Sequence, residues 1–173
     1  QAPIKSIGNS TTTPRDLVND LDVKIILMAL SESVASRLRE NGFQCKVVEI
    51  SIRDNELYHF SRQCKLKRPT NITDEIVQAA YRLFKDNYRW EHPIRSLGVR
   101  GCDLVSDDMP YQLDLFMSEQ KREKLKKMDQ VVDEIRARFG YQSIQRAFVY
   151  QDKILAQLNA REHTVHPQGY FHG

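Results

Sequence analysis

The sequence predicts an α+β fold: a ferredoxin-like β-α-β-β-α-β domain with a four-stranded antiparallel sheet, both helices on one face, and a C-terminal helical extension. Two stretches of helical periodicity separated by segments of period two are the first sign. Their order, strand, helix, strand, strand, helix, strand, is the second. The third is a change of texture after about residue 103, where Asp107-Asp108-Met109-Pro110 interrupts the pattern ahead of a charged amphipathic run.

Residues 5–13 are rich in β-branched and small polar side chains and read as an extended strand. Asp20 or Asp22 is placed to cap a helix in which Val23, Ile26, Leu27, Leu30, Val34 and Leu38 form one stripe, and Asn41-Gly42 offers a left-handed stop. Over residues 43–53, Val48, Ile50 and Ile52 alternate with Glu49, Ser51 and Arg53, as in a half-buried strand. Asp54-Asn55-Glu56 supplies a hairpin turn. The returning strand sets Tyr58 and Phe60 on one face and His59, Ser61, Gln63 and Lys65 on the other. Residues 71–74 open a second helix that buries Ile76, Ala80, Leu83 and Phe84, and Pro93 introduces a last strand over 94–101.

Beyond the domain, Tyr111 to Phe116 forms a short apolar patch. A helix is predicted over 118–139, with Leu125, Met128, Val132, Ile135 and Phe139 on one stripe and Gly140 as its stop. The organisation expected is therefore a domain over 3–105, a linker over 106–117, a helical extension over 118–158 and a flexible tail over 159–173.

Composition narrows the function classes. A chain of 173 residues with 28% charged and 40% hydrophobic residues is of the globular type. Its longest apolar run, residues 25–30, is far too short to span a bilayer, so no membrane partner is expected and a cytoplasmic setting is. The opening Gln1-Ala2-Pro3-Ile4-Lys5 has no secretory pattern and reads as a cut inside a longer protein. Twenty-six basic against 23 acidic residues give a net charge of +3, a weak pull toward polyanions. Cys45, Cys64 and Cys102 contain no Cys-x-x-Cys pair and are expected as reduced thiols.

Three segments carry candidate chemistry. The polar strand positions Glu49, Ser51, Arg53, Ser61, Gln63 and Lys65 define an open sheet face suited to phosphate oxygens, although the same pattern fits a face that only meets water. Gln112-Leu113-Asp114-Leu115-Phe116 offers two adjacent apolar anchors, Leu115 and Phe116, with Gln112 as a polar hook; it suits docking into an apolar pocket or packing on its own domain. The run Lys121-Arg122-Glu123-Lys124-Leu125-Lys126-Lys127 reads as a solvated helix face. No catalytic residue is expected. Asp74-Glu75 sits at a helix start, where carboxylates complement the dipole, and Asp107-Asp108 has no third metal ligand nearby. His163, His166 and His172 lie in the tail with loose spacing, so no metal or other cofactor is expected in this chain.

Four strings then resemble one family. Lys5-Ser6-Ile7-Gly8-Asn9-Ser10 looks like the opening of the little-finger domain of Y-family DNA polymerases (the DinB/UmuC, ImpB/MucB/SamB group), and Ile94-Arg95-Ser96-Leu97-Gly98-Val99-Arg100 resembles its last strand. Gln112 to Phe116 resembles the bacterial sliding-clamp peptide. Glu134 to Gly140, with Ser143-Ile144-Gln145-Arg146-Ala147, is similar to the C-terminal extension of these polymerases. The resemblance implies a module that grips primer–template DNA and tethers an error-prone translesion polymerase to its clamp. Lys5, Ser6, Ile7, Arg95, Ser96 and Arg100 become its phosphate contacts, joined through strand alternation by Arg53, Gln63 and Lys65. Gln112, Leu113, Leu115 and Phe116 become its clamp contacts. Many relatives carry a second basic residue where this chain has Ser96, which implies a weaker grip there. The Mg²⁺ of polymerisation belongs, by the same resemblance, to a catalytic part preceding Gln1. Two other classes fit the topology: a domain that binds only the clamp, and an RNA-recognition-like domain, which would need aromatic side chains on the open face.

Overall fold

Alternation in the middle strands buries one side of a single antiparallel sheet. The chain runs β1 (Ser6–Leu17), α1 (Asp20–Glu40), β2 (Phe43–Asp54), β3 (His59–Thr70), α2 (Thr73–Asn87) and β4 (Ile94–Ser106). It continues through α3 (Ser118–Phe139), two 3₁₀ turns (Tyr141–Ser143 and Ala147–Gln151) and α4 (Lys153–Ala156). The computed structural model describes residues 3–108 and 118–158. Sheet order is β1-β4-β2-β3. Ile7, Val48, Ile50, Ile52, Leu97 and Val99 point to the covered side, where α1 and α2 bury them with Ile76, Ala80 and Phe84.

Local chemistry explains most boundaries, and several differ from expectation. Strand β1 runs on to Leu17 because its ladder with β4 resumes after a bulge between Thr12 and Leu17, and Pro14 is tolerated in this irregular edge. The cap of α1 is Asn19, whose side chain accepts the Asp22 N–H at 2.9 Å; Asp22 instead turns back to the Val18 N–H at 3.0 Å and to Arg15. Gly42, with φ of 70°, stops α1 as expected. In the β2–β3 turn, Asp54 Oδ1 accepts the N–H groups of Glu56 and Tyr58 at 2.9 and 3.0 Å.

Helix α1 differs most from its predicted single stripe. Ile25, Ile26, Leu27, Met28, Ala29, Leu30 and Ser31 are all buried, and seven consecutive residues cover every side of a helix. The C-terminal extension supplies the second cover. Val149, Leu155, Ala156 and Leu158 join the core cluster, and Phe148 packs against it.

Helix α3 is held mainly by charge. Arg122, expected in a solvated run, is 4% exposed and donates to both oxygens of Glu75 at 2.9 Å. Arg39 of α1 donates to Asp133 at 2.8 and 2.9 Å and to Asp129 at 3.2 Å. Arg136 reaches Glu32, Arg68 reaches Glu119, and Arg146 pairs with Asp74 at 3.0 Å. Asp129 also accepts the Thr73 N–H at 3.0 Å, supplying from α3 the cap that the N-cap residue of α2, Ile72, cannot. Burial pushes the carboxyls of Glu32 and Asp129 up despite nearby arginines. At Glu75 burial also opposes charge, but the bonds from Arg122 and Thr70 outweigh it and hold the carboxyl low. Between the layers lies a cavity of about 210 Å³ lined by Arg39, Asp129, Arg136 and Arg146 among others.

A second clasp, Arg15, joins the β1 bulge to the first turn of α1 and to the start of α4. It donates to Asp22 at 2.9 and 2.8 Å and also to Asp152 at the start of α4.

Removing buried Arg122 leaves the half-buried Glu75 carboxylate without its partner. Arg122→Ala is expected to cost about 3–5 kcal/mol in urea unfolding, and Arg122→Met less, because its methylenes still fill the site. The Arg15 clasp predicts a pH dependence. At Asp22 burial raises the carboxyl, yet Arg15 leaves it low, and at Asp152 the Arg15 bond lowers it directly. Depressed folded values mean the clasp's stability is complete above the ordinary aspartate value of about 3.9 and is lost as pH falls further. The Tm gap between wild type and Arg15→Met should therefore be full at about pH 6 and shrink below about pH 4.

Candidate nucleic-acid interface

On the uncovered side of the sheet the antiparallel register sorts the side chains into four cross-strand rows. Thr12, Ser96, Arg53 and His59 form the first, and Ser10, Gly98, Ser51 and Ser61 the second. Gly8, Arg100, Glu49 and Gln63 form the third, and Ser6, Cys102, Val47 and Lys65 the fourth. Successive rows stand roughly 7 Å apart, two residues along each strand.

Two glycines shape this surface. A Cβ on Gly98 would stand 2.3 Å from Ser51 Oγ and 3.2 Å from Ser10 Cβ, so both serines lean over bare backbone. A Cβ on Gly8 would come within 3.1 Å of Arg100 Cβ and 3.2 Å of its Nε, so the Arg100 stem lies along β1. The result is a concavity of about 490 Å³ whose lining includes Ser6, Ser10, Ser51, Ser61, His59 and Arg100. At its β1 edge, Arg37 of α1 donates to the Gly8 carbonyl at 2.9 Å.

The rows hold three permanent cations, Arg53, Lys65 and Arg100, against one carboxylate, Glu49. Arg100 Nε lies 4.0 Å from Glu49 Oε1. No Phe, Tyr or Trp stands in the rows. Phe60 pairs with Ile52 on the covered side and stacks with Tyr88, ring centroids 6.3 Å apart, while Tyr58 precedes β3 and is exposed. Burial pushes the Cys45 thiol up to about 12, which leaves no thiolate nucleophile there. Among the described residues no group of three or more His, Cys, Asp or Glu side chains could hold a metal. Hydroxyls, guanidinium groups and an ammonium on a flat polar surface can donate to phosphate oxygens.

Comparison with known proteins gives this surface a family. The C-terminal domain of the impB/mucB/samB family matches residues 4–115, more than half of the chain. The chain belongs to the impB/mucB/samB family. DNA polymerase IV of Acetivibrio thermocellus is 47% identical over 158 residues, covering 91% of this chain and 40% of that protein. DNA polymerase IV 2 of Bacillus subtilis is 39% identical over 147 residues, 83% of this chain and 34% of that protein. The chain thus spans well under half the length of these relatives, and the match falls on their C-terminal domain, outside the catalytic part. A solved complex of a β-clamp processivity factor with the little finger domain of PolIV aligns at 17% identity with a TM-score of 0.49, covering 65% of this chain and 99% of that one.

Within this impB/mucB/samB domain the residues singled out from sequence separate into groups. Ser6, Arg53, Gln63, Lys65, Ser96 and Arg100 lie together on the open rows, and Lys5 is exposed just ahead of β1. Ile7 does not join them. Strand alternation sends its side chain into the core, 5% exposed, so a contact there is restricted to backbone. Arg95 flanks a bulge of the β2–β4 ladder and bonds Asp16 at 3.0 Å, outside the lining of the concavity. Gln112, Leu113, Leu115 and Phe116 lie outside the described residues. Ser10 was missed although it belongs to the same face, as were the spacer roles of Gly8 and Gly98. Gly8 and Gly98 inside strand patterns were the available signal. Helix α3 packs on the helices and away from the rows, with Lys121, Lys124 and Lys127 of its basic run exposed to solvent.

The geometry around Gly98 makes a prediction independent of any ligand. Gly98→Ala should lower stability by about 1–3 kcal/mol through the Ser51 hydroxyl, as in other overpacked sites. Adding Ser51→Ala removes that oxygen and should restore most of the loss in denaturant midpoints.

Proposed function

We propose that this chain is the DNA-gripping module of an error-prone translesion polymerase of the polymerase IV type, holding the backbone of primer–template DNA and tethering its parent to the sliding clamp. The observation that carries the reading is the open face: rows of serine hydroxyls over glycine, with Arg53, Lys65 and Arg100, and no aromatic platform. Such a surface binds phosphates without reading bases, which suits DNA of any sequence, damaged or not. The lack of aromatics in the rows weighs against the base stacking on which RNA-recognition modules depend. Ser6, Ser96 and Arg100, with Arg53, Gln63 and Lys65, are the proposed contacts; Lys5 and Arg95 flank them at the rim, and Ile7 contributes backbone.

Clamp attachment falls to Gln112, Leu113, Leu115 and Phe116, whose apolar anchors would add a contact that salt does not weaken. The chain itself performs no nucleotide transfer in this reading. The parent's catalytic part would supply the carboxylates and Mg²⁺, and the setting would be the cytoplasm.

The test is fluorescence anisotropy of a labelled primer–template duplex across a salt series, with clamp binding as a second arm. Wild type should bind at low salt and weaken steeply as salt rises, and Arg100→Ala should weaken binding and reduce the salt slope by about one. Leu115→Ala/Phe116→Ala should abolish clamp binding and leave the DNA isotherm unchanged. A folded wild-type chain with no affinity for DNA at low salt would sink the reading.

A further inference from the structure

Glu49 stands at the centre of a face otherwise built from hydroxyls, glycines and cations, and it is the sole carboxylate in the four rows. It is only partly exposed, in mid-strand on β2, between Arg100 on β4 and Gln63 on β3. On a face that only meets water, Glu49 opposite Arg100 is a weakly stabilising cross-strand ion pair. On a phosphate-binding face the carboxylate acts against the ligand, because a phosphate bound to Arg100 stands well inside a Debye length, about 8 Å at physiological ionic strength.

The geometry next to it is specific. Arg100 is flanked by a glycine on one strand and by Glu49 on the other. Gly8 lets the arginine stem lie along β1, with room that any Cβ would take. Glu49 Oε1 lies 4.0 Å from the arginine Nε. The same guanidinium therefore faces two competing anions, one built into the sheet and one supplied by DNA.

We propose that Glu49 is a charge brake on the grip: it lies beside Arg100 in the free protein and opposes each phosphate that comes to it, keeping duplex binding weak and quickly reversible. The inference rests on the reading of the open face as the DNA surface. A module that stays with a polymerase moving along the duplex needs contacts that release at every step, and an internal competitor provides this without removing a cation.

The experiment is the anisotropy titration with Glu49→Gln and Glu49→Asp, beside wild type and Arg100→Ala. Glu49→Gln keeps shape and removes charge, and is expected to tighten duplex binding about three- to tenfold at low salt. Because no phosphate contact is added, its salt slope should stay close to wild type. Glu49→Asp keeps the charge and should bind like wild type. A residue that only held the strand together would give loss of affinity, or of folding, in Glu49→Gln, never a gain. Unchanged or weaker binding by a folded Glu49→Gln, with Arg100→Ala still weakened, overturns the brake and leaves the grip standing. Absence of binding in wild type and Glu49→Gln alike removes the grip, and the brake falls with it.

Discussion

In the β2–β4 register Ile50 meets Val99 and Ser51 meets Gly98, and the rest of the molecule is arranged around that pairing. A slip of one residue would turn Val48, Ile50 and Ile52 to water and drive Glu49, Ser51 and Arg53 under the helices. Each of those aliphatic side chains contributes about 1.5–3 kcal/mol by burial, so the slipped sheet loses several such terms together. The same constraint that forms the core thereby aligns the polar rows behind it. Neither face can change without the other.

The helical layer is bound by a different physics on each of its sides. Toward the sheet, α1 and α2 offer aliphatic and aromatic surface. Away from it, the chain relies on arginine–carboxylate bridges to the extension, with Arg39 on α1 and Arg122 and Arg136 on α3, and the apolar residues of the second 3₁₀ turn and α4 seal one end. Charge fixes direction better than grease does, since Arg122 and Arg39 each accept only one arrangement of their partners. It also tolerates a gap, and the cavity lined by Arg39, Asp129, Arg136 and Arg146 is that gap.

Much of this was legible in the sequence because it is periodic. Alternation at Val48, Ile50 and Ile52 and the helical spacing in α2 dictate one arrangement, and the order of elements leaves few topologies. The site was legible in part. Arg53, Gln63, Lys65 and Arg100 follow from alternation. Ile7 was grouped with Ser6 because the two belong to one recognisable string, although adjacent strand residues must point to opposite sides. Ser10 and the notch at Gly98 need the register between strands, and a register joins residues far apart in the chain. The charged seam was hidden for the same reason: Arg122 meets Glu75 across 47 positions and Arg136 meets Glu32 across 104. One local clue existed in Ile25-Ile26-Leu27-Met28-Ala29-Leu30, too uniformly apolar for a helix with a wet side.

The cap that α3 supplies to α2 has a consequence for where this folded unit ends. The match to the family's C-terminal domain ends at residue 115, and the sheet is complete at Ser106. Yet the first N–H of α2 is satisfied by Asp129, and the outer side of α1 is roofed by residues up to Leu158. A chain truncated after the sheet would keep every strand and both helices, and would carry Ala29 and the orphaned carboxyl of Glu32 toward solvent. Such a fragment would be sticky as well as weaker, seeking in other molecules the roof it had lost.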